Sequence, residues 1–176
     1  RAGPSTGIPT KSEQSDLNIA LYGMHGEAPH LVLAPLDVRD CVFTTQWAVR
    51  LAEHLQTAAI VLSDQSLGQS RAVIAPPTEF KQLLERVTER SPAHDYRRYA
   101  ATKDGVSPMT SPGIAHGMYT ADGLEHDEQG IPSSMAGDHL RQLGKRQHKI
   151  DAFDYGAHWA EIRGGGELCL ICWGSS

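Results

Sequence analysis

HLVLAP (residues 30–35), DVRDCVFTTQWAVRLAEHLQ (37–56) and AAIVL (58–62) follow one another almost without interruption, and their order decides the fold. Apart from His30 the two short runs are apolar, as strands buried on both faces are. The segment between them has helical period. Val38, Cys41, Val42, Thr45, Ala48, Val49, Ala52 and Leu55 make the expected apolar stripe, and Asp37 stands where a helix cap belongs. Asp40 lies near the positive end of the helix dipole. Strand, helix, strand with apolar strands is a βαβ unit, so the fold class is α/β with a parallel sheet. Ligands of open α/β sheets sit at the carboxyl ends of strands. Ser63, Asp64 and Gln65 fall at such an end, where they serve a ligand or simply form a turn or helix cap.

Upstream, Lys11 to Tyr22 reads as a helix with Leu17, Ala20 and Leu21 at helical spacing, and Gly23 is placed to end it. A polar turn, Met24-His25-Gly26-Glu27, follows. Ahead of the helix stands Arg1-Ala-Gly-Pro-Ser-Thr-Gly-Ile-Pro-Thr10. Gly3 and Gly7 permit positive φ and close approach, while Pro4 and Pro9 stiffen the loop. Backbone N–H groups in such a turn can converge on an anion, and a guanidinium is a planar fork suited to a carboxylate. Arg1, Ser5, Thr6 and Thr10 are therefore candidate contacts for a small anionic ligand, against the plain alternative of a surface loop. The same letters also fit G-x-S-x-G, the pattern of a serine hydrolase elbow, but that elbow needs a strand before the serine and Pro4 fixes the preceding φ. A third reading is a non-catalytic domain that docks subunits.

Downstream, Pro76-Pro77 breaks the chain, Phe80 to Thr88 suggests a short amphipathic helix, and residues 89–113 read as irregular. Thr120 to Gly130 gathers Asp122, Glu125, His126, Asp127 and Glu128 without the spacing of a calcium loop or zinc helix, and reads as a solvated acidic turn. Asp138 to Lys149 is a basic amphipathic helix, whose charged face is expected in solvent. Glu167 to Trp173 reads as a buried strand. Cys169 and Cys172, three apart on it, would point to opposite faces as core side chains.

The chain has 176 residues, net charge −5 and pI near 6.0, which leaves no electrostatic footprint for nucleic acid. No apolar window reaches the ~18 residues of a membrane helix. Three cysteines argue for a reducing, cytoplasmic setting rather than a disulfide framework, and they fall short of a four-cysteine iron–sulfur site. A first residue other than Met, and a last strand without its helix, give the expectation that the chain is a piece of a longer polypeptide.

Four stretches resemble one family in its own order. Arg-x-Gly-Pro-Ser-Thr-Gly-x-Pro-Thr10 is the first. His25-Gly-Glu through the apolar strand to Ile60-Val-Leu-Ser-Asp-Gln65 is the second. Tyr96-Arg-Arg-Tyr-Ala-Ala-Thr-Lys-Asp-Gly-Val-Ser-Pro108 with Ser111-Pro-Gly113 is the third, and Glu125-His-Asp-Glu128-x-Gly130 the fourth. They are similar to the alpha subunit of 2-oxoacid:ferredoxin oxidoreductases, most like the 2-oxoglutarate type. Met109 departs from the pattern, which has an arginine there. The resemblance implies the second half of a thiamine-enzyme pyrimidine-type domain over residues 1–75. It then implies an interdomain linker with short helices over 76–160, and the first strand of a truncated transketolase C-terminal-like domain over 161–176. It implies oxidative decarboxylation of a 2-oxoacid with coenzyme A to acyl-CoA and CO2, electrons passing to ferredoxin. Arg1 and Thr10 would recognise the 2-oxoacid, Ser5 and Thr6 would add contacts, and His25 would lie near the pocket. Thiamine pyrophosphate with Mg and an iron–sulfur cluster would be held mainly by the beta subunit, the expected partner. The fragment alone would be inactive.

Overall fold

The computed structural model describes residues 15–76 and 84–175. The loop Arg1–Thr10 and most of the expected helix over 80–88 lie outside these residues. The element order is α1 (Ser15–Tyr22), β1 (Leu31–Leu33), α2 (Asp40–Leu55), β2 (Ala59–Val61), α3 (Gln65–Gln69) and α4 (Ala136–Asp151), then a 3-10 turn, Gly156–His158. β1 and β2 pair in parallel, Leu31 opposite Ala59 and Leu33 opposite Val61, with α2 as the crossover. The α/β reading therefore holds for the βαβ unit.

α1 stops at Gly23, whose N–H closes on the carbonyl of Ile19 at 2.8 Å. A Cβ at that glycine would stand 2.7 Å from the same oxygen, so no other residue fits without movement. α2 begins after a turn organised by Asp37, whose Oδ1 accepts from the N–H groups of Arg39 and Asp40 at 2.8 and 3.0 Å. It ends at Gln56, which adopts the left-handed conformation at φ 49° and ψ 55°.

The buried face of α2 keeps Ala48 and Leu55 of the expected stripe but not Val42, Thr45 and Val49. Thr44, Trp47, Ala48, Leu51 and Leu55 face inward, whereas Val42, Thr45 and Val49 are exposed, Val49 at 58%. Both rows have helical spacing. The row carrying one indole and two leucines removes more apolar area from water than the valine row, and it wins the core. Leu51 and Leu55, each 1% exposed, sit deepest, with Leu31 and Leu33 of β1, Leu84 and Val106 around them. The chain leaving α4 closes this core: Tyr155 meets Trp47 edge-on at 6.5 Å and Phe153 at 5.0 Å.

Two further expectations are corrected. Residues 84–88 are extended rather than helical. Met109 N–H donates to Val87 and Glu89 N–H to Met109, at 2.9 and 2.8 Å, and β-branched Val87 and Thr88 suit that pairing. The apolar run near the C-terminus is not a buried strand. Leu170 and Ile171 are 88% and 90% exposed and both cysteines are exposed. A strand needs a neighbour to satisfy its N–H and C=O groups, and among the described residues none lies alongside this run. α4 matches its expectation and runs two residues further at each end. Among the described residues, no helix is long and apolar enough to cross a membrane.

Candidate functional site

Of the five expected site residues, Arg1, Ser5, Thr6 and Thr10 lie outside the described residues. His25 is exposed, on the turn that follows α1. This turn is fastened at two points. The ring of His30 bridges the end of α1 and the approach to β1, with Nε2 2.5 Å from the carbonyl oxygen of Ala20 and Nδ1 3.1 Å from that of Ala28. Glu27 reaches His139 on α4, 3.0 Å away.

The carboxyl ends of β1 and β2 gather Asp37, Asp40 and Asp64, and each is engaged locally. Asp40 Oδ2 accepts from the N–H of Leu36 and the hydroxyl of Thr44, at 2.9 and 3.0 Å. Asp64 Oδ1 caps α3 through Leu67 N–H at 2.7 Å, and its Oδ2 takes the Ser175 hydroxyl. These two bonds hold the Asp64 carboxyl below the usual range. Asp64 is thus a helix cap. Burial and the surrounding carboxylates of Asp40, Asp37 and Asp64 push the Cys41 thiol up, so it is not a thiolate nucleophile.

The basic face of α4 is turned to the protein, against the expectation of a solvated face. Gln142 Nε2 and Lys145 Nζ both donate to the carbonyl of Tyr99 at 3.0 Å, and Lys149 Nζ donates to the carbonyl of Gln56 at 2.8 Å. Burial, followed by the nearby Arg98 charge, lowers each lysine to about 8. Arg98 donates to Ser107 O at 3.0 Å and to Gln56 Oε1 at 2.6 Å, and its guanidinium lies over the rings of Tyr99 and Tyr119. The Tyr-Arg-Arg-Tyr stretch, the end of α2 and one stripe of α4 are therefore one unit. The signal was present in the sequence: 142, 145 and 149 are a helical i, i+3, i+7 row.

The acidic turn is structural. Asp127 Oδ1 accepts from Gln129 and Ile131 N–H, both at 2.9 Å, and His126 stacks on Tyr99 at 4.8 Å with the rings nearly parallel. Glu125 is its centre. It takes Arg146 at 2.9 and 3.2 Å and His139 Nδ1 at 2.8 Å, and the Arg146 bond first, then the His139 bond, lower its acidity range. Glu125, His126 and Arg146, with Tyr99, Asp122, Leu124 and Gln142, line a cleft of about 130 Å³. Among the described residues, no group of three or more His, Cys, Asp or Glu side chains is placed to hold a metal ion.

Comparison with known proteins identifies the lineage. A family model described as "Pyruvate flavodoxin/ferredoxin oxidoreductase, thiamine diP-bdg" matches residues 1–145. The 2-oxoglutarate oxidoreductase subunit KorA of Mycobacterium tuberculosis is 35% identical over 188 residues, covering 100% of this chain and 27% of that protein. The 2-oxoacid:ferredoxin oxidoreductase 1, subunit alpha, of Sulfurisphaera tokodaii is 36% identical over 159 residues, covering 88% of this chain and 25% of that one. A solved 2-oxoglutarate:ferredoxin oxidoreductase from Magnetococcus marinus, with 2-oxoglutarate, coenzyme A and succinyl-CoA bound, superposes with a TM-score of 0.82 at 38% identity. It covers 99% of this chain and 31% of its own. The chain spans about a quarter of the length of the curated relatives it matches. With the family model spanning the βαβ unit, the stretch that follows it and the first part of α4, the chain belongs to the thiamine diphosphate-binding family of pyruvate flavodoxin/ferredoxin oxidoreductases.

Proposed function

We propose that this chain is the 2-oxoacid-recognition part of the alpha subunit of a 2-oxoacid:ferredoxin oxidoreductase of the 2-oxoglutarate type. The observation that supports it most is the 38% identity, over 99% of the chain, to a 2-oxoglutarate:ferredoxin oxidoreductase whose structure carries 2-oxoglutarate. The complete enzyme converts a 2-oxoacid and coenzyme A to acyl-CoA and CO2, and two electrons pass to ferredoxin. Thiamine diphosphate, when bound, supplies the carbanion chemistry that decarboxylation needs. The described residues bring together no metal-holding set, so no step is assigned to them through the diphosphate and its Mg. In this reading the beta subunit holds that part and the iron–sulfur cluster, and the assembly is cytoplasmic.

Within the chain, Arg1 pairs with the substrate carboxylate and Thr10 hydrogen-bonds the carboxylate or oxo group. Ser5 and Thr6 add contacts, and His25 borders the pocket. Residues 1–75 close a pyrimidine-type domain, residues 76–160 link it onward, and residues 161–176 open a transketolase C-terminal-like domain. The exposed apolar run at 168–172 gains its strand partners from that next sheet.

The test is Arg1→Ala in the complete, multi-subunit enzyme. Removing the partner of a buried carboxylate costs about 2–5 kcal/mol, so kcat/KM for 2-oxoglutarate should fall by at least an order of magnitude. An unchanged kcat/KM refutes the assignment of Arg1.

A further inference from the structure

His139 lies between two carboxylates from two different parts of the chain. Its Nδ1 is 2.8 Å from Glu125 Oε2 on the acidic turn, and its Nε2 is 3.0 Å from Glu27 Oε2 on the turn after α1. A carboxylate can only accept, so both contacts require a proton on both ring nitrogens. The neutral ring has one proton and can serve one carboxylate. The other nitrogen then presents a lone pair to an anion.

Which contact fails follows from the surroundings. Glu125 is also held by Arg146 through two bonds and is largely buried. Glu27 is 63% exposed, and among the described residues its ion-pair partner is His139. Among the described residues the charged groups facing the imidazole are these two carboxylates, one from each turn packed against α4, and Arg146, further along α4, stands beside Glu125. On losing a proton the ring keeps the Glu125 bond and gives up Glu27.

Building on the proposed function, we infer that His139 is a positioning residue that clamps the His25-bearing turn onto α4, so that affinity for the 2-oxoacid weakens as the imidazolium is neutralised. The turn carries His25, which the proposed function sets beside the pocket, and this gives the clamp its route to the substrate. The hydrogen bond with Glu125 comes first, and the charges of Glu27 and Glu125 add to it, in raising His139 above the ordinary histidine range.

Two readouts in the holoenzyme test this across about pH 6 to 8.5: KM for 2-oxoglutarate, and amide hydrogen exchange of residues 23–28 corrected for intrinsic base catalysis. In the wild type both should rise severalfold with pH on one titration curve. Glu27→Ala, which can neither accept from the ring nor donate to it, should show the high-pH values throughout, with kcat within about twofold of wild type. Glu27→Asp should restore part of the pH dependence. A pH-independent turn in the wild type, or a wild-type profile in Glu27→Ala, overturns the clamp. Absence of 2-oxoglutarate turnover in the wild type would instead overturn the proposed function, and the exchange of residues 23–28 would still decide on the clamp.

Discussion

Lys149 of α4 donates its ammonium to the carbonyl of Gln56, the left-handed residue that ends α2, across 2.8 Å. The free carbonyls at a helix end carry partial negative charge, and a cation there is favourable. The same Gln56 offers its side-chain oxygen to Arg98 and its Nε2 to Ser107 O at 2.9 Å. One residue thus joins the crossover helix, the Arg98–Ser107 stretch and α4.

That joint predicts a stability that grows in mild alkali. Lys145 and Lys149 titrate at about 8 in the folded chain against 10.5 when exposed. Between those values the unfolded chain binds more protons, so unfolding free energy rises with pH. Tyr96, Tyr99 and Tyr155, raised above 10 by burial, act oppositely from pH 10 upward, because only the unfolded chain ionises them there. From pH 7.5 to 9.5 the gain should be about 1–2 kcal/mol, after discounting for solvent screening and for coupling between the amines. Urea unfolding at a series of pH values checks this. The double variant Lys145→Met/Lys149→Met should give a flat profile, and a wild-type slope in it would refute the cause.

The buried row of α2 predicts a contrast between neighbouring positions. Leu51→Ala empties space in the deepest part of the core and should cost about 2–5 kcal/mol. Val49→Ala, on the exposed valine row, should cost under about 1 kcal/mol. Chemical denaturation of both variants is sufficient, and equal costs would mean that the stripe is misplaced.

This contrast also shows what the letters of the sequence carry. The βαβ order was legible because two apolar runs flank one helical period, and nothing else in the chain has that pattern. The face of the helix was not, because two rows share the period and only the packed partner decides between them. Gly23 was legible as a stop, and a cap was one of two readings of Asp64, since each acts within four residues of itself; Asp37, expected as the cap of α2, instead organises the turn before it, and the cap position, Arg39, has no side-chain cap bond. The Glu27–His139 and Lys149–Gln56 contacts span 112 and 93 positions, and no local pattern signals them. The strand read at 167–173 failed for a related reason: an apolar run marks a candidate strand, but a strand exists only beside another.

Glu125 predicts an acid-side loss. Its carboxyl is held below the ordinary range, chiefly by Arg146, so its contribution is complete above about pH 4.5 and fades as acidification approaches its folded value. Glu125→Gln leaves Arg146 partly buried without its anion and should cost about 2–4 kcal/mol at neutral pH. The same change should shrink the acid-induced loss of stability relative to wild type. A thermal melt series from pH 3 to 7 measures both effects, and a variant with wild-type stability at pH 7 would show that the Arg146 pair contributes nothing.

Gly105 makes the sharpest steric prediction. Its φ is +75°, and a Cβ there would stand 2.8 Å from the carbonyl oxygen of Lys145 and 2.9 Å from the backbone nitrogen of Lys149. Both atoms belong to the α4 backbone and cannot rotate aside. Gly26 has nearly the same φ, +76°, with nothing within 4 Å of its would-be Cβ. Gly26→Ala therefore reports the left-handed backbone alone, about 1–2 kcal/mol. Gly105→Ala adds overpacking against a helix and should cost a further 1–3 kcal/mol or so. Because the collision falls on the turns of α4 that carry Lys145 and Lys149, the variant should also lift those amines from Tyr99 and Gln56. Its stability should then lose the rise between pH 7.5 and 9.5, while Gly26→Ala keeps it. Identical melting temperatures for the two alanine variants would mean that α4 does not lie against Gly105.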